Sequence, residues 1–158
     1  MALYKKRIRL KEFDYTGCYR YFITLGTHDK DSTFKNNPQV VEWLIDVLKE
    51  KSESHGFRVW AYCFMPDHLH LLIEGKDIHS DMRRFTSSYK QSTGFLFKKK
   101  MGVSLWQINY YEHVLRREEE DTMEVVRYIL GNPVRKGLVS DFWEYKFLGS
   151  FELDVKEI

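Results

Sequence analysis

The sequence has few residues that would staple or divide the chain. Only 2 of its 158 residues are cysteines, Cys18 and Cys63, and only 3 are prolines. Two cysteines are too few for a disulfide framework, which excludes the small disulfide-rich secreted class and predicts reduced thiols in a cytoplasmic protein. No linker, repeat or low-complexity segment is present, so the sequence predicts one domain over residues 1–158.

Long apolar runs and an excess of charge are also missing. No segment approaches the roughly eighteen apolar residues that a membrane span needs, so no membrane partner is predicted. The 25 Lys and Arg residues nearly balance 23 Asp and Glu residues, for a net charge of +2. Cations are nevertheless clustered at 4–11 and 83–100, and such clusters can contact a phosphate backbone. A solvated charged face is the commoner role.

What the sequence does contain is an ordered series of strand and helix patterns. β-forming runs predict strands over 19–27, 57–64, 68–74 and 103–115, and apolar periodicity predicts helices from 38 to about 54, over 81–100, and from Asp121 to about Gly131. The order β-α-β-β-α-β followed by a helix predicts an α+β, ferredoxin-like split β-α-β fold. Its antiparallel sheet would carry helices on one face, plus a C-terminal helix that bears a tyrosine.

Three segments have weaker patterns. Residues 28–37 are polar and predict a turn, and residues 134–158 predict loops or a short terminal element. Gly94 weakens the middle of the second helix and predicts a bend or an end there.

The short sequence from Met65 to Glu74 carries the first candidate site. His68 and His70 are one residue apart in a predicted strand, so both side chains project from the same face, and we expect parallel imidazoles. Leu69 and Leu71 then point into a core. Two neutral imidazoles can supply half of the protein ligands of a divalent metal, although a polar strand surface is the simpler interpretation.

The third predicted helix carries the second candidate site. Its apolar sector is formed by Val125, Val126, Ile129 and Leu130. Tyr128 lies roughly 130° from the centre of that sector, and Asn132, four residues later, lies on the same side. A surface tyrosine and a helix cap would explain this pair by themselves. Together with a metal held by two histidines, however, a tyrosine provides the groups for nucleophilic phosphoryl transfer.

Four segments then identify a family. They are Tyr21-Phe22-Ile23-Thr24, Met65-Pro66-Asp67-His68-Leu69-His70-Leu71-Leu72, Leu105-Trp106-Gln107-Ile108-Asn109-Tyr110-Tyr111-Glu112-His113, and Arg127-Tyr128-Ile129-Leu130-Gly131-Asn132-Pro133-Val134-Arg135-Lys136-Gly137. In order and spacing they resemble the single-tyrosine HUH transposases of small bacterial insertion sequences, most closely their REP-associated tyrosine transposase branch.

The resemblance implies a metal-dependent single-stranded DNA endonuclease and strand transferase that cleaves next to DNA hairpins through a covalent 5′-phosphotyrosine. It implies that His68 and His70 bind Mg²⁺ or Mn²⁺ and that Tyr128 is the nucleophile. Asn132 stands where relatives often carry glutamine as a third metal ligand. It is one methylene shorter, so direct coordination, coordination through water and positioning of Tyr128 all stay open. Relatives are monomers or homodimers.

Further residues are candidates for contact with single-stranded DNA. The set combines cations and aromatics: Arg83, Arg84, Lys90, Lys98, Trp106, Tyr110 and Arg135. Core packing is an equally good explanation for the aromatic members. Tyr89, on the basic helix, is a competing nucleophile, although its place in an apolar stripe favours the core. His113 could bind a phosphate or simply fix its strand.

Two other functions compete with cleavage. The first is a domesticated hairpin-binding protein without cleavage activity, which intact His68, His70 and Tyr128 argue against. The second is a metal-dependent hydrolase with an H-x-H-x-H triad, but Leu72 occupies the third position.

Overall fold

The structure is a computed structural model and describes residues 13–116 and 119–158. The basic cluster predicted at 4–11 lies outside these residues. The strands are β1 (Arg20–Gly26), β2 (Phe57–Met65), β3 (His68–Gly75), β4 (Tyr111–Val114) and β5 (Leu148–Gly149). The α-helices are α1 (Thr33–Asn36), α2 (Pro38–His55), α3 (Met82–Met101), α4 (Thr122–Leu130) and α5 (Asn132–Arg135), and three short 3₁₀ turns complete the described elements.

The five strands form one antiparallel sheet in the order β4-β1-β3-β2-β5. The order of β4, β1, β3 and β2 is that of a ferredoxin-like split β-α-β unit, so the predicted fold class is confirmed. β2 and β3 form a tight hairpin in which Met65 pairs with His68. The first residue of β3 is therefore fixed directly after the turn, because the register of a hairpin is set by its loop.

The first face of the sheet is buried and apolar. Alternate residues of β1 and β3, including Ile23, Leu69 and Leu71, pack with residues of α2 and α3 in one buried cluster. Pro38 occupies the first turn of α2, and Gly56 ends that helix with a positive φ of 74°. Asp81 caps α3 by accepting a hydrogen bond from the Arg84 amide. These local signals explain why both helices match the predicted ranges closely.

The second face of the sheet is covered by α4 and the C-terminal segment. The apolar sector predicted for α4 is buried as expected, and it packs with Phe22, Cys63 and Leu72 of the strands. Asp121 caps α4 by accepting a hydrogen bond from the Met123 amide. The alternation of side chains in β3 then places His68 and His70 on this second face, beneath the tyrosine-bearing helix.

The predicted fourth strand is too long at its N-terminal end. Only Tyr111–Val114 pair as a strand, while 103–110 form a loop with a single bridge between Trp106 and Thr27. Trp106 is only 8% exposed, and its indole N–H donates to the Thr93 hydroxyl of α3 at 2.9 Å. The β-forming residues of this loop are therefore used for packing against α3 rather than for strand pairing.

Of the three other weak patterns, two differ from the prediction, and the third, a short terminal element in the tail, is confirmed. The polar segment predicted as a turn contains the short helix α1, since Phe34 is buried in the first core. Helix α3 continues through Gly94 instead of ending there. The tail adds β5 to the edge of β2, where the Tyr145 hydroxyl donates to the Phe64 carbonyl at 2.6 Å.

No helix within residues 13–116 and 119–158 is long and apolar enough to cross a membrane. Cys18 and Cys63 do not pair with each other in a disulfide. Cys63 is buried on the second face.

Candidate active site

The two histidines of β3 converge on a common point. His68 Nε2 and His70 Nε2 are 3.1 Å apart, although the ring planes make an angle of 76°. The expected parallel arrangement of the imidazoles is therefore wrong, and the rings meet edge to face. Two nitrogens that bind one cation at right angles, each at about 2.1 Å, lie about 3 Å apart. The observed spacing fits that requirement.

The other nitrogen of each ring already has a partner. His68 Nδ1 lies 2.6 Å from Asp67 Oδ1, and His70 Nδ1 lies 2.8 Å from Thr24 Oγ1. The Asp67 carboxylate accepts the Nδ1 proton of His68 and so leaves the Nε2 lone pair directed at the shared point. The Thr24 hydroxyl can accept or donate, which allows His70 to present the same lone pair.

Electrostatics keeps His70 in its ligating form. Burial, together with the nearby His68, Arg135 and Lys136, lowers the pKa of His70 to about 3. The imidazole is therefore neutral at physiological pH, and only a neutral imidazole binds a metal ion.

Asn132, the predicted third ligand, opens helix α5 and is 5% exposed. Its Oδ1 accepts a 3.4 Å hydrogen bond from Arg135 Nη2. Within the described residues no group of three His, Cys, Asp or Glu side chains could hold a metal. The histidine pair would therefore be completed by amide oxygen, water or substrate phosphate, and ligation by Asn132 stays a prediction.

Tyr128 lies on the half-buried edge of α4. The Phe22 ring connects it with the histidines, since the centroid of that ring is 6.2 Å from Tyr128 and 5.4 Å from His70. The Arg135 guanidinium lies 4.1 Å from the centroid of the Tyr128 ring and donates to the Tyr128 carbonyl at 2.6 Å. This cation holds the ring from one side and places positive charge beside the phenol.

The start of α4 is fixed to the sheet by two contacts. Arg20 of β1 donates to the Glu120 carbonyl at 3.0 Å and to the Thr122 hydroxyl at 2.6 Å. His113 of β4 lies 2.8 Å from the Glu120 carboxylate and is 4% exposed. Of the two roles left open for His113, this placement favours a positional one, because the histidine fixes the approach to the tyrosine helix.

The competing nucleophile lies in the first core. Tyr89 is fully buried, and its hydroxyl donates to the Leu44 carbonyl at 2.9 Å. Burial raises its pKa well above the ordinary value. Neither property suits a nucleophile that must meet DNA, so the core interpretation is confirmed for Tyr89.

The cations predicted to contact DNA fall into three groups. Arg135 lies at the tyrosine, as described above. Lys90 donates to the carbonyls of Gln107 and Ile108 and lies over the Tyr110 ring, so this lysine stabilises the 103–110 loop. The remaining cations, Arg83, Arg84 and Lys98, are exposed on α3.

The structure adds geometry to two of these candidates, whose contact with DNA stays a prediction. The buried indole of Trp106 has no open face for stacking on a base in this conformation. Arg83 and Arg84 lie on α3, which packs against the opposite face of the sheet from the histidines.

Sequence reasoning missed the residues that orient the histidines. Asp67 precedes His68 directly, and that adjacency was an available signal. Thr24 gave no local signal, because it becomes the partner of His70 only through the β1–β3 register. A cleft of about 510 Å³ beside His68 is lined by Lys30 and Lys136, which were also missed because each lies far from the histidine motif in the chain.

Comparisons with known proteins identify the family of the chain. The model of the family described as "Transposase IS200 like" matches residues 16–132, which is well over half of the chain. A Haemophilus influenzae protein named as a REP-associated tyrosine transposase is 26% identical over 154 residues, covering 90% of this chain and 85% of that protein. An uncharacterized protein of the same organism is 26% identical over 164 residues, covering 83% of this chain and 89% of its own.

Solved structures share the fold. A REP-associated tyrosine transposase bound to a REP hairpin superposes with a TM-score of 0.72 at 20% identity, covering 95% of this chain and 86% of its own. A protein of Deinococcus radiodurans R1 described as a transposase gives a TM-score of 0.53 at 18% identity, covering 78% and 95%. The resemblance noted in the sequence is thus confirmed, and the chain belongs to the IS200-like transposase family.

Proposed function

We propose that the protein is an HUH-type, metal-dependent endonuclease and strand transferase that acts on single-stranded DNA next to a hairpin, through a covalent 5′-phosphotyrosine at Tyr128. The observation that carries the proposal is the convergence of His68 Nε2 and His70 Nε2 on the sheet face that α4 covers. Membership of a transposase family supports a reaction on DNA. The relative solved with a REP hairpin supports a hairpin substrate.

In this proposal His68 and His70 hold Mg²⁺ or Mn²⁺, with Asn132 as the third protein ligand, directly or through water. When bound, the cation polarises the phosphodiester and stabilises the negative charge that develops during displacement. Asp67 and Thr24 hold the two imidazoles in the orientation and tautomer that binding requires.

Tyr128 performs the displacement. Its phenol oxygen attacks the phosphorus, a bond between oxygen and phosphorus forms, and the bond from phosphorus to the 3′ oxygen breaks. The phenol proton passes to solvent, and the departing 3′ oxygen takes up a proton. The covalent link conserves the energy of the phosphodiester, so attack by the 3′ hydroxyl of another strand reverses the step and releases the tyrosine.

The cations around the tyrosine assist this chemistry. Arg135 orients the phenol through its contact with the ring and its hydrogen bond to the Tyr128 carbonyl. Lys30 and Lys136 line the cleft beside His68, where they can bind phosphates on either side of the cleaved bond.

A gel assay with labelled single-stranded hairpins, taken from the DNA that flanks the coding region, tests the proposal. We expect a denaturation-resistant protein–DNA band in Mn²⁺ that EDTA abolishes, and peptide mapping should locate the DNA on Tyr128. Tight binding without any adduct would instead favour the hairpin-binding alternative.

The metal role is tested separately. His68→Ala should lower Mn²⁺ affinity and cleavage together, whereas His79→Ala, at an exposed histidine outside the site, should change neither. Cleavage that continues unchanged in EDTA would refute the metal role.

Cytoplasmic location and a monomeric or homodimeric state stay predictions. Light scattering on the purified protein, with and without a hairpin, measures the oligomeric state directly.

A further inference from the structure

Gln107 lies on the same line of cross-strand neighbours as His68, with Gly26 of β1 between them. His68 pairs with Gly26 of β1, and the Gln107 amide N–H donates to the Gly26 carbonyl at 2.9 Å. The neighbouring bridge between Thr27 and Trp106 is antiparallel, so Gln107 stands opposite Gly26. Since residues opposite each other across antiparallel strands share a face, the Gln107 side chain lies on the face of the histidine pair.

Gly26 makes room for that side chain. A Cβ on Gly26 would lie 2.7 Å from Gln107 Oε1 and 3.0 Å from Gln107 Cδ. The glutamine amide therefore lies over the glycine, in the space between its own loop and the strand of His68. A methyl group at Gly26 would push this side-chain amide away, since the three atoms nearest to it all belong to the Gln107 side chain.

The loop does not need this amide for its own structure. Backbone hydrogen bonds tie it to the end of β1, Lys90 holds two of its carbonyls, and Trp106 is buried beside Thr93. The side-chain amide of Gln107, unlike its backbone N–H, makes no hydrogen bond within residues 13–116 and 119–158. It is half-buried and positioned by its neighbours, with its donors and its acceptor available to a ligand.

Gln107 also stands where two clefts meet. It lines the cleft of about 510 Å³ that holds His68, Lys30 and Lys136. It equally lines a cleft of about 470 Å³ between α3 and the loop, which contains Lys98 and the 94% exposed Ile108. Both clefts are lined by lysines that can contact phosphates. The side-chain amide of Gln107 lies between the two clefts, so it faces a DNA strand that runs from one cleft to the other.

We propose that Gln107 is a specificity-determining residue, whose amide hydrogen-bonds the base of a nucleotide that flanks the cleaved phosphate. This inference rests on the proposed function. A carboxamide offers one acceptor and two donors, which match the N6 and N7 edge of adenine in a bidentate pair. The bases of an unpaired strand expose such edges. Adenine is therefore the base that Gln107 recognises.

The experiment varies the base at each of three positions on either side of the cleavage site in labelled hairpin oligonucleotides. Adduct formation in Mn²⁺ and equilibrium binding, measured by fluorescence anisotropy, are followed for the wild type and for Gln107→Ala. We expect the wild type to favour adenine at one position by roughly tenfold, the discrimination typical of one bidentate pair. Gln107→Ala should remove that preference at that position alone.

Two further variants separate the base contact from damage to the fold. Gly26→Ala leaves Gln107 in place but displaces its amide, so it should remove the same preference. Gln39→Ala changes an exposed glutamine on α2 outside both clefts and should leave the preference intact.

The outcomes also distinguish this inference from the proposed function. An unchanged base preference in Gln107→Ala, in adducts and in binding, overturns the role of Gln107 while the tyrosine chemistry stands. Loss of the binding preference in a protein that never forms an adduct supports the base contact and overturns the chemistry. A drop in Mn²⁺ affinity of Gln107→Ala without DNA, as large as that of His68→Ala, would make Gln107 a metal ligand and overturn the inference.

Discussion

The two faces of the sheet are made from alternate residues of the same strands, yet they are built for different purposes. Leu69 and Leu71 of β3 point into a continuous apolar core beneath α2 and α3. His68 and His70, their immediate neighbours, point to the face beneath α4, where imidazoles, a threonine, a carboxylate and cations meet. The first face supplies burial and therefore stability. The second face buries fewer apolar groups at this place and instead holds polar groups in fixed positions.

The comparison extends to the tyrosines. Tyr89 on the first face is buried and its hydroxyl is satisfied by a helix carbonyl. Tyr128 on the second face is half-buried, and its ring lies near Phe22 and beneath the Arg135 guanidinium. The same residue type thus serves packing on one side and, in our proposal, nucleophilic chemistry on the other.

The largest effect should come from exchanging these two hydroxyls for hydrogen. Tyr128→Phe should reduce adduct formation by at least roughly 10³-fold, because it removes the attacking oxygen, and should leave hairpin binding close to that of the wild type. Tyr89→Phe should retain adduct formation and lose about 1 kcal/mol of unfolding free energy. Denaturing gels and urea unfolding measure the two quantities, and adducts that persist in Tyr128→Phe would refute the nucleophile.

Substitutions at two neighbouring residues of β3 should also differ, one lowering stability and the other lowering metal binding and cleavage. Leu71→Ala should lower the free energy of unfolding by about 3 kcal/mol, through lost burial and the cavity left behind. His70→Ala should destabilise the protein less but lower Mn²⁺ affinity and cleavage, which Leu71→Ala should spare at temperatures where it is folded. Urea unfolding in EDTA and Mn²⁺ titration provide the readouts. Equal loss of metal affinity in both variants would contradict the division between the faces.

Lowering the pH should destabilise the folded protein through His70 on the second face. Its pKa is lowered to about 3 in the folded protein, against the ordinary value of 6.5, so the unfolded chain binds a proton that the folded protein does not. The stability present above pH 6.5 is therefore lost as the pH falls from 6.5 towards 3, by roughly 2 kcal/mol at pH 5. In EDTA, His70→Gln should lose less stability than the wild type over this range. His79→Gln should behave as the wild type does.

The smallest effect concerns the two thiols. Cys63 is buried between the sheet and α4, and burial raises its pKa to about 12, whereas Cys18 is half-exposed. Because the thiolate is the reactive form, iodoacetamide at pH 8 should label Cys18 in the native protein and Cys63 only after unfolding. Mass spectrometry of tryptic peptides measures the labelling. Rapid native labelling of Cys63 would show that α4 opens readily.

Much of the fold could be read from local signals. Strands β1 to β3 and helices α2 to α4 were predicted close to their observed bounds, because periodicity, caps and turn residues act over a few positions. The loop at 103–110 could not be predicted in this way. Its β-forming residues are held by α3, and a contact between separate segments leaves no periodic signature in the sequence.

The sequence by itself determined that His68 and His70 share a face, since a strand alternates its side chains with a period of two by covalent geometry. It also predicted that Tyr128 lies off the apolar sector of its helix, whereas in the structure its ring is half-buried against Phe22. Only the tertiary structure decided that the imidazoles converge at Nε2, that Thr24 and Asp67 orient them, and that α4 covers their face. It alone brought Gln107 over Gly26. These relations depend on strand register and helix packing, which join residues far apart in the chain.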